Sequence, residues 1–145
     1  MRRWLWLPLV LVGCADPIDE SDMHRACVFA DEPSDFFQID PEGGPTIDYV
    51  ADQTLWVGVD HGCLGCNKNL EHGCSVTVTG DAIDIESTFT YERPSGQCDA
   101  SCALITSRCQ TDEPVPAGTY VVSYAGETMD LEIPGEREAL CFDPS

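Results

Sequence analysis

Hydrophobic and polar residues alternate with period two along much of the chain after residue 45, the pattern of strands buried on one face only. The clearest run is AIDIESTFTYE, where Ile83, Ile85, Phe89 and Tyr91 face one way while Asp84, Glu86, Thr88, Thr90 and Glu92 face the other. Ile47 and Tyr49 alternate in the same way, as do Leu55, Val57 and Val59, and Val76 and Val78. Near the end, Tyr120, Val122 and Tyr124 share one face, and Met129, Leu131 and Ile133 return with Asp130 and Glu132 outward. Gly80-Asp81 separates two runs by a two-residue loop, and a glycine in first place supplies the positive φ of a type II′ hairpin. Ala125-Gly126 predicts a second hairpin, which Pro134-Gly135 stops. About seven strands with closely spaced turns and no long helical period predict an all-β fold, an antiparallel β-sandwich.

One segment departs from that period. In CDASCALITSRC, Cys98, Cys102, Ile105 and Cys109 recur at intervals of four, three and four, which lines them up along one side of a helix. The spacing predicts a short helix or loop near 98–109, with Pro94-Ser95-Gly96 as the entry and Thr106 and Ser107 the residues least suited to a helix. Seven helical residues rise about 10.5 Å, too far for a bridge between Cys102 and Cys109, because a disulfide needs Cα atoms within about 7 Å. These cysteines therefore need partners elsewhere.

The first thirteen residues carry a basic start at Arg2-Arg3, an apolar run from Trp4 to Val12 and a small residue, Gly13, the order of an export signal. The run is too short to span a bilayer, which takes about 20 apolar residues. The neighbours of Arg2-Arg3 fit a twin-arginine motif poorly, so the pair reads as the start of an ordinary secretory signal. Leu11-Val12-Gly13-Cys14 resembles the lipobox of bacterial lipoproteins at all four positions. That resemblance implies cleavage before Cys14, a diacylglyceryl thioether on its sulfur and a third acyl chain, such as palmitate, on its new amino group. Each buried CH₂ contributes about 0.8 kcal/mol, so two or more chains anchor a protein stably. Ala15, rather than Asp, follows the cysteine, which the resemblance associates with the outer membrane over the inner. The expected organisation is a signal peptide over 1–13, a lipidated acidic tether over 14–26 and one disulfide-stabilised β domain over 27–145. The sequence PAGTY before the last strand pair also resembles the close of bacterial immunoglobulin-like modules, which implies a sandwich and no particular function.

Charge narrows the partners. All 26 acidic residues lie after residue 13 and only 5 of the 7 basic ones do, a formal charge of −21 that repels nucleic acid and anionic head groups. The expected contacts are a membrane reached through the lipid on Cys14 and a protein or small-ligand partner.

Nine cysteines are an odd count until Cys14 is assigned to lipid. The eight others, Cys27, Cys63, Cys66, Cys74, Cys98, Cys102, Cys109 and Cys141, read as four disulfides in an exported chain. Three of them lie in HGCLGCNKNLEHGC and three in 98–109, so the expectation is three bridges between these segments and one from Cys27 to Cys141.

The competing chemistry is a metal-handling or thiol-redox site. His61, Cys63, Cys66, His72 and Cys74 could supply four tetrahedral ligands to Zn²⁺, or softer ligands to Cu(I), but an oxidising compartment removes the thiolates such a site needs. Cys63-Leu64-Gly65-Cys66 has thioredoxin-like spacing without the βαβ setting that lowers a thiol pKa. No G-x-S-x-G elbow, H-E-x-x-H helix, phosphate-binding glycine loop or calcium loop occurs. With His24 in the tether, His61 and His72 are the remaining candidates for a general base, beside Asp60 or Glu71. The expectation is a non-enzymatic binding or envelope-structural module with no catalytic residue and no cofactor.

Overall fold

The structure, a computed structural model, describes residues 16–34, 45–96, 98 and 101–144. Its regular elements, among these residues, are eleven strands: β1 (Ile18–Asp19), β2 (Arg25–Phe29), β3 (Thr46–Tyr49), β4 (Trp56–Leu64), β5 (Lys68–Thr79), β6 (Ala82–Glu92), β7 (Ala103–Gln110), β8 (Gly118–Tyr124), β9 (Glu127–Ile133), β10 (Gly135–Glu138) and β11 (Leu140–Phe142). The all-β class expected from the alternation is the class observed.

Two sheets enclose the core. In the five-stranded sheet β6 pairs with β5 along one edge. Its other edge is shared end to end by β8, which runs parallel to it at Ala82–Asp84, and β1, antiparallel at Thr90–Tyr91. β9 completes this sheet by pairing with β8. The four-stranded sheet has the order β11-β2-β4-β7 and is antiparallel throughout. β3 and β10 form a separate ribbon. The inward faces meet in one cluster: Val28, Val57, Val59, Leu140 and Phe142 from one sheet pack with Val76, Ile83, Ile85, Val122, Tyr124, Leu131 and Ile133 from the other. Such burial, at roughly 25 cal/mol per Å² of apolar surface, is the main driving force for the fold.

Both hairpins form where expected. Gly80 has φ 63° between paired Thr79 and Ala82, the geometry a type II′ turn requires at that place. Ala125 and Gly126 have φ of 52° and 82°, so the second turn is type I′ and holds a non-glycine residue in the left-handed region.

The four disulfides follow the three-and-one division: Cys63–Cys102, Cys66–Cys98 and Cys74–Cys109 join the two cysteine-rich segments, and Cys27–Cys141 joins the ends. Their Cα separations, 5.4, 5.8, 5.7 and 4.1 Å in that order, are those of bonded cysteines within or close to the usual range.

Two expectations need correcting, and two strands went unread. The segment near 98–109 holds a strand, β7, in place of a helix, because Leu104, Ile105 and Thr106 suit a pleated, half-buried position and β4 offers a complete ladder to pair with. Residues 18–26, assigned to the tether, lie in the fold: β1 adds to β6, and Ala26 is fully buried in β2. β2 escapes the period-two test because its residues are buried on consecutive positions, Ala26-Cys27-Val28, and β11 because three residues are too few to show a period. The signal peptide and Cys14 lie outside the described residues.

Candidate functional site

The two segments rich in cysteine and histidine meet at one end of the sandwich. β4 enters this end with Val57 and Val59 facing the core, then carries one residue too many between Asp60 and Gly62, so that His61 has no register partner on β7. This β-bulge is supported by Gly62 at φ 77° and by the Gly62 amide donating to Asp60 Oδ1 at 2.9 Å. Bulges re-aim side chains at functional sites, and His61 here is turned inward until 5% of it is exposed. β5 carries a second bulge just before His72, with Asn69 at φ 51°. Together the two bulges set the ends of the facing sheets against each other, and the Cys74–Cys109 disulfide fixes β5 to β7 beside them.

All three histidines of the chain come together here. His61 lies flat on Phe89, with ring centroids 4.6 Å apart and planes 14° from parallel. His24 meets both rings edge-on, at 4.7 Å from Phe89 and 4.9 Å from His61. Their Nδ1 atoms are 3.3 Å apart. The other nitrogen of His61, Nε2, is 2.8 Å from Ser107 Oγ, and the same oxygen is 2.9 Å from Nδ1 of His72. Nε2 of His24 lies 3.4 Å from the Glu20 carboxylate.

These five groups form a single file, and donor counting gives it a direction. A carboxylate only accepts, so His24 Nε2 carries the proton directed at Glu20, and a neutral His24 must then accept at Nδ1. His61 therefore donates from Nδ1 and accepts at Nε2. Ser107 donates its hydroxyl proton to that nitrogen and accepts from His72 Nδ1. Every buried side-chain polar atom of the file is paired, consistent with the absence of unsatisfied buried side-chain polar atoms among the described residues.

Electrostatics keeps the inner part of the file neutral. Burial pushes the His61 imidazole down to about 3, and any positive charge on His24 or His72 adds to the effect. His24 is also lowered, by burial first, against the opposing pull of the Glu20 and Asp60 carboxylates. The file surfaces at His72, which borders an open groove of about 390 Å³ with Ser107, Trp56, Gly73, Arg108 and Glu32. Arg108 is engaged by Glu32 and by the carbonyl of Pro33 at 3.0 Å each.

The ligand set expected from spacing is not assembled. Cys63, Cys66 and Cys74 are each in a disulfide with a cysteine of the other segment, so they offer no thiolate to zinc or copper and no Cys63–Cys66 redox pair exists. The remaining members, His61 and His72, are separated by the Ser107 hydroxyl between them. Among the described residues no group of three or more His, Cys, Asp or Glu side chains converges as a metal site would require. Neither expected dyad carboxylate touches a histidine nitrogen as partner: Asp60 accepts from the Gly62 amide, and Glu71 is exposed on β5. The residues that sequence reasoning passed over are His24, set aside as tether, and Ser107, set aside as a poor helix former. Compared with known proteins, the chain matches no family model, no curated protein and no solved structure.

Proposed function

We propose that this chain is an exported lipoprotein, anchored through Cys14 to the outer membrane, whose disulfide-pinned β-sandwich is a non-enzymatic binding or envelope-structural module. Cysteine parity carries the reading. Four disulfides account for eight cysteines, and the ninth is the cysteine of Leu11-Val12-Gly13-Cys14. Four bridges suit an oxidising compartment, where a chain of this size keeps its thiols bonded. The strongly acidic surface suits an extracytoplasmic domain held clear of anionic head groups by its anchor.

The test is the intact mass of the exported, unreduced protein together with its partition into membranes. The reading expects loss of residues 1–13, a mass gain of one glyceryl group and three acyl chains, and eight hydrogens fewer than the reduced chain. It also expects the Cys14→Ser variant to leave the membrane fraction. An exported protein with Cys14 unmodified, or a Cys14→Ser variant that stays membrane-bound, would overturn it.

A further inference from the structure

The segment between the proposed anchor and the first disulfide is docked onto the body in an unusual way. The Glu20 amide donates to the carbonyl of Phe89 at 2.8 Å, and the Phe89 amide donates back to Ser21 Oγ at 3.1 Å. Asp22 and Ser87 exchange two bonds, with the Asp22 amide donating to Ser87 Oγ at 3.0 Å and the Ser87 amide to Asp22 Oδ1 at 2.6 Å. The Tyr91 hydroxyl donates to Glu20 at 3.2 Å, and the Tyr124 hydroxyl to the carbonyl of His24 at 2.8 Å. Apart from β1, two residues long, this docking is made largely by polar groups, together with the edge-on contact of His24 with His61 and Phe89. From Arg25 the chain enters β2, which pairs on both sides and carries Cys27 bonded to Cys141, so the body proper is closed there.

We propose that residues 18–24 are an acid-released latch: they hold the chain against the sandwich while His24 and His61 face each other uncharged, and they detach when both imidazoles take up protons. The geometry sets the stoichiometry. With one added proton, both nitrogens of His24 donate, one to Glu20 and one to His61, and the file reverses its direction without losing a bond. With two, both Nδ1 atoms carry hydrogen and oppose each other across 3.3 Å, with no acceptor between them. The docked state thus holds at most one added proton on this pair and the released state holds two, so release takes up at least one more.

The charged and titratable groups around the pair give no second route to neutrality. On the latch itself Glu20 faces His24, while Asp22 is occupied by Ser87. β4 presents Asp60, which acts on His24, β5 presents His72 and β6 presents Tyr91. β8 presents Tyr124, β7 offers the Ser107 hydroxyl, and Arg25 at the start of β2 turns away to Asp143 at 2.7 Å. Glu20 and Asp60, the carboxylates that act on the pair, act on His24; His61 instead meets Phe89, Ser107 and the two other imidazoles. Among the described residues, the second proton therefore falls on an imidazole with no carboxylate acting on it to offset the charge.

The latch does not depend on the anchor, although its use does. If Cys14 is lipidated as proposed, freeing seven residues adds up to about 24 Å to the reach between membrane and body. Acidification would then let the domain stand further off the membrane.

Hydrogen exchange on the full mature chain, disulfides intact, tests the latch directly. After correction for the intrinsic pH dependence of exchange, protection in 18–24 and at the Ser87 and Phe89 amides is expected to fall about tenfold per pH unit between pH 6.5 and 5, one proton's worth of linkage. The β2–β4 ladder is expected to stay protected over the same range. His61→Gln and His24→Gln each remove one of the two protons and should flatten the dependence; either suffices if the other fails to fold. Equal protection of 18–24 at pH 7.5 and 5, simultaneous loss of protection in β2 and β4, or an undiminished dependence in the folded variants would overturn the latch. Because exchange is read without reference to lipid, failure of the latch and failure of the anchor reading are separate outcomes.

Discussion

The four bridges should contribute very unequally to stability, and connectivity alone ranks them. In the chain-entropy account a disulfide stabilises by closing a loop in the unfolded chain, with an effect that grows as the logarithm of the loop. The bridges are not independent, because each is formed in a chain the others have already cross-linked. For Cys27–Cys141, spaced 114 residues apart, the shortest path in the unfolded chain runs from 27 to 63, across the Cys63–Cys102 bond, then from 102 to 141. That leaves a loop of about 75 residues, worth about 4.5 kcal/mol at 25 °C. Cys66–Cys98 is spaced 32 residues apart but lies just inside Cys63–Cys102, so only about seven residues remain to close and the gain drops to about 2 kcal/mol. Cys74–Cys109 falls between, with about 18 residues to close and about 3 kcal/mol.

The perturbation is paired replacement of each bridge by Ala, and the assay is equilibrium unfolding in urea under non-reducing conditions. Loss of Cys27–Cys141 should lower stability most and also raise the m-value most, because it frees the longest loop and exposes the most surface. Loss of Cys66–Cys98, or of Cys63–Cys102, should do least on both counts, because each leaves the other in place and frees only about seven residues. The burial of the sites sharpens the ordering, since Cys27 is 1% exposed and its replacement also removes a buried sulfur from the fold. A result in which the Cys66–Cys98 variant loses as much stability as the Cys27–Cys141 variant, with equal m-values, would refute the nested-loop reasoning.

Other expectations concern single residues. His61 is held low in the fold and is ordinary, near 6.5, when unfolded, so its contribution is complete above about pH 6.5 and is lost as pH falls toward 3. The loss amounts to at most about 3 kcal/mol by pH 4, the full amount applying only while His24 stays docked, and the difference in urea midpoint between the wild type and His61→Gln should shrink with falling pH; a constant difference would contradict it. Ala125 occupies φ 52° in a type I′ turn, so Ala125→Gly should stabilise by about 1 kcal/mol, seen as a higher melting temperature. A Cβ on Gly135 would lie 2.7 Å from the carbonyl oxygen of Glu132, so Gly135→Ala should cost about 2 kcal/mol in the same measurement.

What was legible in the sequence follows from which forces act locally. β6 is read correctly because one of its faces meets the core and the other meets water, so burial alternates with every residue. The segment after Cys98 misleads because its cysteines are placed by the partners they bond across two sheets, while its face is set by Ile105, Ser107 and Cys109 at period two. The helix premise failed, yet the conclusion that Cys102 and Cys109 cannot pair survives it. A strand rises more than twice as far per residue as a helix, so extension separates them further. Parity and the three-against-three match carried the division into three bridges and one, though not the individual pairs among the three, and both are indifferent to secondary structure.

The histidine file was illegible for a different reason. Its members come from the latch, β4, β5 and β7, and no spacing in the chain relates them. Polarity misdirected the reading of the latch as well. ADPIDESDMHRA lacks the apolar residues that normally order a segment, and solvation is the expected fate of such a composition. Here order comes from polar groups satisfying one another: the buried Ser87 and Tyr124 hydroxyls bond each other at 2.9 Å and also engage the Asp22 amide and the carbonyl of His24, while the Ser87 amide donates to Asp22. Each such bond is worth only about 1 kcal/mol net, whereas leaving the buried partner unpaired costs about 1–3 kcal/mol. The segment is thus held less by its own preference for the sheet than by what its departure would leave exposed to compensation by water alone. That is why protonation of one histidine pair, rather than loss of any apolar contact, is sufficient to decide between the docked and released states.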